Sequence, residues 1–269
     1  MNNHSQEAIG VFDSGLGGLT VVKELNHHLP NERIIYFGDT ARVPYGTKSG
    51  ATIIRYAREI VRVLVKHKVK MVVVACNTAS SLALDVLKKE FNLPVLGVID
   101  PGVRKACEVT RNKKVGIIAT SSTVKSGKYA KKIVQLNKNI VVRSQACPLF
   151  VPLVEEGWFD HPVTYQVARQ YLGDMKKKKI DTLILGCTHY PLLKGVLHNV
   201  MGPGVQLVDS AREVALQVKE LLTREKLLRT RLGPCRHMFI VSDEPKQFQR
   251  LALRFLGGGV KNVRRHIYV

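Results

Sequence analysis

The sequence predicts an α/β fold of two pseudo-symmetric domains, each a mostly parallel sheet flanked by helices, with an active site in the interdomain cleft. Three observations carry that expectation. Short apolar runs alternate with helix-spaced segments along the whole chain, the pattern recurs in its second half, and each copy ends one run in a cysteine. Strand–helix alternation of this kind buries both faces of a parallel sheet under its crossover helices.

In chain order, β-branched and aromatic runs predict strands over residues 9–12, 33–37, 71–75, 95–98, 115–119, 140–144, 182–185 and 206–208. Between them, apolar residues fall three or four apart. In the helix predicted over residues 53–66, Ile53, Tyr56, Ala57, Ile60, Val63 and Leu64 share one face. Helices are also predicted over 79–90 and 191–200, the second opened by Pro191 in its first turn.

The repeat is visible residue by residue. Ile9-Gly10-Val11-Phe12-Asp13-Ser14 aligns with Val115-Gly116-Ile117-Ile118-Ala119-Thr120, the strand from Ile34 with the one from Ile140, and Ala75-Cys76-Asn77-Thr78 with Gly186-Cys187-Thr188-His189. Chance likeness between buried strands explains any one pair; three in order point to a duplicated half. The chain is expected to cross between halves in a linker from Gly97 through Ile99-Asp100-Pro101-Gly102, which has turn chemistry. It crosses again at Val208-Asp209-Ser210, with Ser210 capping a helix from Arg212. The expected domains are residues 1–98 with 209–269, and residues 99–208.

Composition narrows the classes. At 269 residues and 45% hydrophobic content the chain can build real cores. It contains no run of about eighteen apolar residues, and its first residues have neither a basic start nor an apolar signal core. A cytoplasmic protein with reduced thiols is expected, and no membrane partner. The five cysteines form no CxxC pair and no zinc-spaced cluster, so no metal site is expected. Forty-two Lys and Arg against twenty-one Asp and Glu give +21. That charge would suit a nucleic-acid partner, but only Lys176 to Lys179 form a dense run, and no recognition motif accompanies it. A solvated basic surface is the simpler reading.

The chemistry centres on Cys76 and Cys187. Carboxyl ends of parallel strands are where open α/β sheets bind ligands. A thiolate is the active base, and a free thiol near pKa 8.5 is mostly protonated at neutral pH. A helix starting just beyond each cysteine would supply N–H groups and a positive dipole end to favour the anion. Burial as a small core hydrophobe is the competing account, and it is retained for Cys107, Cys147 and Cys235. Asp13-Ser14-Gly15-Leu16-Gly17-Gly18 is a tight glycine turn opening a helix. With Thr at position 20 it fails as a dinucleotide fingerprint, leaving N–H groups that could hold a carboxylate. Asp39-Thr40 and Arg42-Val43-Pro44-Tyr45-Gly46 form a loop that could present a ring and N–H groups. Glu155 reads as a helix-end carboxylate and His189 as a candidate polar cap.

Together these segments resemble the glutamate racemases of the aspartate/glutamate racemase superfamily, from about residue 8 to about residue 218. The resemblance rests on Gly10-Val11-Phe12-Asp13-Ser14-Gly15-Leu16-Gly17-Gly18-Leu19, Gly38-Asp39-Thr40, Val43-Pro44-Tyr45-Gly46, Ala75-Cys76-Asn77-Thr78-Ala79, Cys147-Pro148-Leu149 and Leu185-Gly186-Cys187-Thr188-His189-Tyr190-Pro191. It implies interconversion of L- and D-glutamate with no cofactor, supplying D-glutamate for peptidoglycan. The α-proton would move between Cys76, acting on D-glutamate, and Cys187, acting on L-glutamate. It implies Asp13 and His189 as auxiliary groups, with Glu155 assisting. Substrate contacts carry over to Asp13, Ser14, Tyr45, Gly46, Asn77, Thr78, Thr188 and His189, with Thr120 and Thr123 as further contacts. No lysine is placed for a pyridoxal Schiff base. The resemblance also leaves a homodimer open, and some family members influence DNA gyrase, though no motif here supports a nucleic-acid or gyrase partner. Two alternatives remain: a racemase of aspartate or a related acidic amino acid, and a nucleic-acid-associated protein on the same scaffold.

Overall fold

Each predicted strand forms, and each pairs only in parallel. The computed structural model describes residues 3–230 and 235–268; residues 1, 2, 231–234 and 269 of the expected first domain lie outside them. The strands in chain order are β1 (Ala8–Asp13), β2 (Ile34–Gly38), β3 (Val69–Val74), β4 (Val95–Gly97), β5 (Lys114–Ala119), β6 (Val141–Ala146), β7 (Thr182–Gly186), β8 (Gln206–Asp209), β9 (Met238–Val241) and β10 (Val263–Arg265). They build two sheets, ordered β10-β9-β2-β1-β3-β4 and β6-β5-β7-β8.

The order β2-β1-β3-β4 recurs as β6-β5-β7-β8, so the repeat read in sequence is a repeat of topology. In both sheets the strand order reverses between the first and third strands, β1/β3 and β5/β7. Such switch points open a crevice beyond the strand ends. Register places Phe12 beside Val74 and Ala119 beside Gly186, so the chain leaves both members of each pair at the same level.

The interior explains why the two sheets form one body. Ile9, Val11, Met71 and Val73 from the first sheet share a buried cluster with Leu183 and Leu185 from the second. The helices Leu19–His28 and Ser210–Arg224 fill the space between, through Leu19, Val22, Leu25, Val214 and Val218. The remaining face of each sheet has its own core, one under the helix Gly50–Lys66 and one under Ile99–Val109. In Gly50–Lys66, Ile53, Ala57, Ile60 and Leu64 are buried as their spacing requires, while Tyr56 and Val63 sit at the margin.

Several local expectations are corrected. β3 starts two residues earlier than read, because Lys70 is a fully buried strand residue. Its ammonium is satisfied by Glu32 Oε2 at 2.6 Å, Ser5 O at 3.0 Å and Leu227 O at 2.8 Å. The segment 99–102 is the first turn of Ile99–Val109 rather than a linker turn, since Pro101 is tolerated where its missing N–H has no partner to lose. Gly102 then lets this helix cross Ser210 closely; a Cβ there would lie 2.5 Å from Ser210 Oγ. Ser210 is the first helical residue and Asp209 is the cap, accepting from Ala211 N–H at 2.9 Å. The helix expected over 79–90 is two helices, Asn77–Leu82 and Leu84–Glu90.

Candidate active site

The carboxyl ends of β1 and β3 deliver Asp13, Ser14 and Cys76 side by side. Cys76 is the N-cap of Asn77–Leu82, and its sulfur accepts the Ala79 N–H at 3.5 Å. Cys76 Sγ in turn lies 3.8 Å from Ser14 Oγ, to which it donates. Asp13 stands behind them, wholly buried, with Oδ2 accepting the Gly15 N–H at 3.0 Å. The glycine turn expected to hold a ligand anion therefore spends that N–H on the chain's own carboxylate.

At β7 the local chemistry differs. The chain beyond Cys187 forms a turn and a short 3-10 segment, Tyr190–Leu193, and the α-helix begins only at Lys194–Met201. The expected helix N-terminus at Cys187 is thus displaced, because Tyr190 and Leu192 close tight turns onto the Cys187 and His189 carbonyls. His189 stands there instead: its Nδ1 is 3.9 Å from Cys187 Sγ and its Nε2 is 3.0 Å from Glu155 Oε1. Glu155 arrives from the end of the helix Phe150–Glu155.

The two strand-end loops touch where Gly17 passes Thr188 and His189. A Cβ on Gly17 would fall 2.2 Å from Thr188 Oγ1 and 2.5 Å from His189 Nδ1, so only glycine fits. Thr188 also donates to Asp13 Oδ1 at 3.4 Å, and Thr20 Oγ1 donates to Thr188 O at 3.2 Å. Across the front, Thr78 of the first sheet meets Thr120 at 2.9 Å and Thr123 at 3.2 Å, and Ser122 donates to Gly46 O at 2.7 Å.

These contacts enclose a cavity of about 390 Å³ whose wall includes both Cys76 and Cys187. Its size suits a small metabolite. Burial, followed by the charge of Asp13, pushes the Cys76 thiol up to about 12 despite the Ala79 and Ser14 bonds. Burial alone would lower His189, but its contacts with Cys187 and Glu155 outweigh that and raise it to about 10. Burial likewise raises Asp13, opposed chiefly by the nearby His189 charge. At neutral pH the cavity thus has a protonated thiol at Cys76 and an imidazolium behind Cys187.

Of the residues singled out in sequence, Ser14, Tyr45, Gly46, Asn77, Thr78, Thr188, His189, Thr120 and Glu155 line the cavity with the two cysteines. Asp13 and Thr123 do not; both are buried behind the wall. Tyr45 is present, but its hydroxyl is committed to Asp39 rather than offered to a ligand. Ser121, Val151 and Pro152 also line the cavity and were not singled out. Ser121 carried a signal, since it follows Thr120 in the aligned copy of the Asp13-Ser14 motif. Val151 and Pro152 carried none, because an apolar wall looks like core in sequence.

Residues 9–218 match the family described as Asp/Glu/Hydantoin racemase. A glutamate racemase of Geobacter metallireducens is 52% identical over 257 residues, which cover 96% of this chain and 95% of that protein. Among solved structures, glutamate racemase isoform RacE1 from Bacillus anthracis aligns with a TM-score of 0.93 at 39% identity, over 97% of each chain. The glutamate racemase of Francisella tularensis, solved in complex with D-glutamate, gives 0.91 at 40% identity over 97% of this chain and 98% of that one.

Proposed function

Since this chain belongs to the Asp/Glu/hydantoin racemase family, we propose that it is a glutamate racemase that moves the α-proton between Cys76 and Cys187 without a cofactor. One observation carries the reading: two thiols from equivalent strand ends of a repeated sheet share a single small cavity. The functional units are residues 1–98 with 209–269 and residues 99–208, which face each other across it.

Each turnover needs one thiolate and one thiol. With L-glutamate bound, Cys187 as the thiolate takes the Cα proton and the Cys76 thiol donates its own to the opposite face. That leaves Cys76 as the thiolate, and with D-glutamate the roles reverse. One S–H bond forms as the other breaks, so the enzyme ends each turnover in the protonation state that starts the return reaction. The Ala79 N–H supports charge on Cys76, as Ser14 does once its hydroxyl turns to donate to the sulfur, and His189 stands beside Cys187. The α-proton beside a carboxylate is weakly acidic, so fixed donors must hold the negative charge that develops on that carboxylate. Thr78 and Thr188, which line the cavity, would supply them, while Asn77 would hold the carboxylate equally in ground and transition states. The product is D-glutamate for peptidoglycan synthesis in the cytoplasm. No helix among the described residues is long and apolar enough to cross a membrane.

Circular dichroism on both enantiomers of glutamate and aspartate tests the reaction and the substrate together. Glutamate should racemise and aspartate should not. Because enantiomers are equal in energy, kcat/KM must come out the same in both directions. Cys76→Ala and Cys187→Ala should each lose about a hundredfold or more, the usual worth of a general acid or base. Wild-type rates in either variant would refute the two-thiol reading.

A further inference from the structure

Asn77 lines the cavity beside Cys76 while almost wholly buried. Its amide has two unlike ends, a carbonyl that accepts and an NH2 that donates, and a half-turn about its last bond exchanges them. A substrate carboxylate, which only accepts, can use only the NH2 end. Tyr129 Oη donates to Asn77 Oδ1 at 2.7 Å. The tyrosine reaches across from the helix Lys128–Leu136 behind the second sheet, and its ring is buried. Its oxygen lies 3.4 Å from Ser210 Oγ, which can donate to it in turn. Among the described residues nothing bonds to Asn77 Nδ2, so the donor end is available to a ligand.

We propose that Tyr129 is a positioning residue that sets the polarity of the Asn77 amide, turning its NH2 toward the substrate carboxylate. This rests on the racemase reading above. Burial holds the Tyr129 phenol well above its usual range, with the charge of Cys187 adding to the shift, so the hydroxyl stays a donor throughout the working pH range. Removing it leaves the ring in place but frees the amide to present its carbonyl, which an anion repels. The cost falls on binding, since it affects ground state and transition state alike.

Steady-state kinetics of Tyr129→Phe, Asn77→Ala and the double variant test this. Tyr129→Phe should raise KM for both enantiomers about five- to tenfold, the worth of one hydrogen bond, with kcat within about twofold of wild type. In the Asn77→Ala background the same change should have no further effect on KM, because the two residues act as one unit. An unchanged KM in Tyr129→Phe would overturn the proposal. So would an equal rise in the Asn77→Ala background, which would mean that the tyrosine acts by holding the two halves together. Calorimetric affinity for glutamate, measured on the same four proteins, reads the same coupling independently of turnover. Coupled affinities in a protein that does not racemise glutamate would sink the reaction reading and leave the positioning role standing.

Discussion

At the level of single residues, the two thiols sit in different surroundings. Cys76 has a short helix cap and a neighbouring hydroxyl, and Cys187 an imidazolium backed by Glu155. The difference has a consequence for stability. His189 rises from 6.5 to about 10 on folding, and Cys76 from 9.0 to about 12. Both groups therefore hold protons more tightly in the folded protein. Their contribution is complete below pH 6.5 and is lost as pH climbs through about 10 for His189 and about 12 for Cys76. Melting temperature should fall between pH 7 and pH 10, and His189→Asn should flatten that fall; an identical slope in the variant would contradict the assignment. Both cysteines were legible in sequence because each follows an apolar run and precedes small polar residues. Glu155 was ambiguous because its partner, His189, is distant in sequence and only the fold joins them.

At the level of elements, the close approach of two loops is what turns separate strand ends into one site. Gly17→Ala places a methyl against Thr188 and His189, neither of which is a flexible chain end that can swing away. Overpacking of this kind costs about 1–3 kcal/mol, and here the strain falls on the imidazole behind Cys187. We expect lower denaturant stability and a clear loss of kcat; a variant matching wild type in both would show that the loops have room to separate. The central strands were readable because β1, β2, β3 and β7 are buried on both faces, which leaves a continuous apolar run. The edges were not. β10 is Val263-Arg264-Arg265, mostly exposed, and its strand state follows only from pairing with β9. The short 3-10 segment after Cys187 was read as a helix because Pro191 is as acceptable in its first turn as in an α-helix.

For the whole molecule, the buried Lys70–Glu32 pair joins distant parts of the chain. Lys70 bonds to the Ser5 and Leu227 carbonyls, and Glu32 Oε1 accepts the Arg229 N–H at 2.8 Å. One ion pair thus fixes the N-terminal segment, the first sheet and the chain leaving Ser210–Arg224. Lys70→Met should cost about 3–5 kcal/mol in urea unfolding, because it strands a buried carboxylate. Replacing Glu32 with Leu as well should recover much of that loss; no recovery would show that the lysine matters for its carbonyl bonds alone. The net charge of +21 finds no role in the cavity. Lys176 to Lys179 are all exposed at the carboxyl end of the helix Pro162–Lys177, where cations offset the helix dipole. Sequence composition gave the size of that charge but not its place, which depends on where each helix ends.

The most direct test is racemisation in D2O, started from each glutamate enantiomer and sampled early. If separate thiols serve the two faces of Cα, the first product formed carries deuterium while the remaining substrate keeps its protium. That pattern should hold in both directions. Product that retains the substrate's own proton, or substrate and product labelled at equal rates, would mean that a single group works both faces.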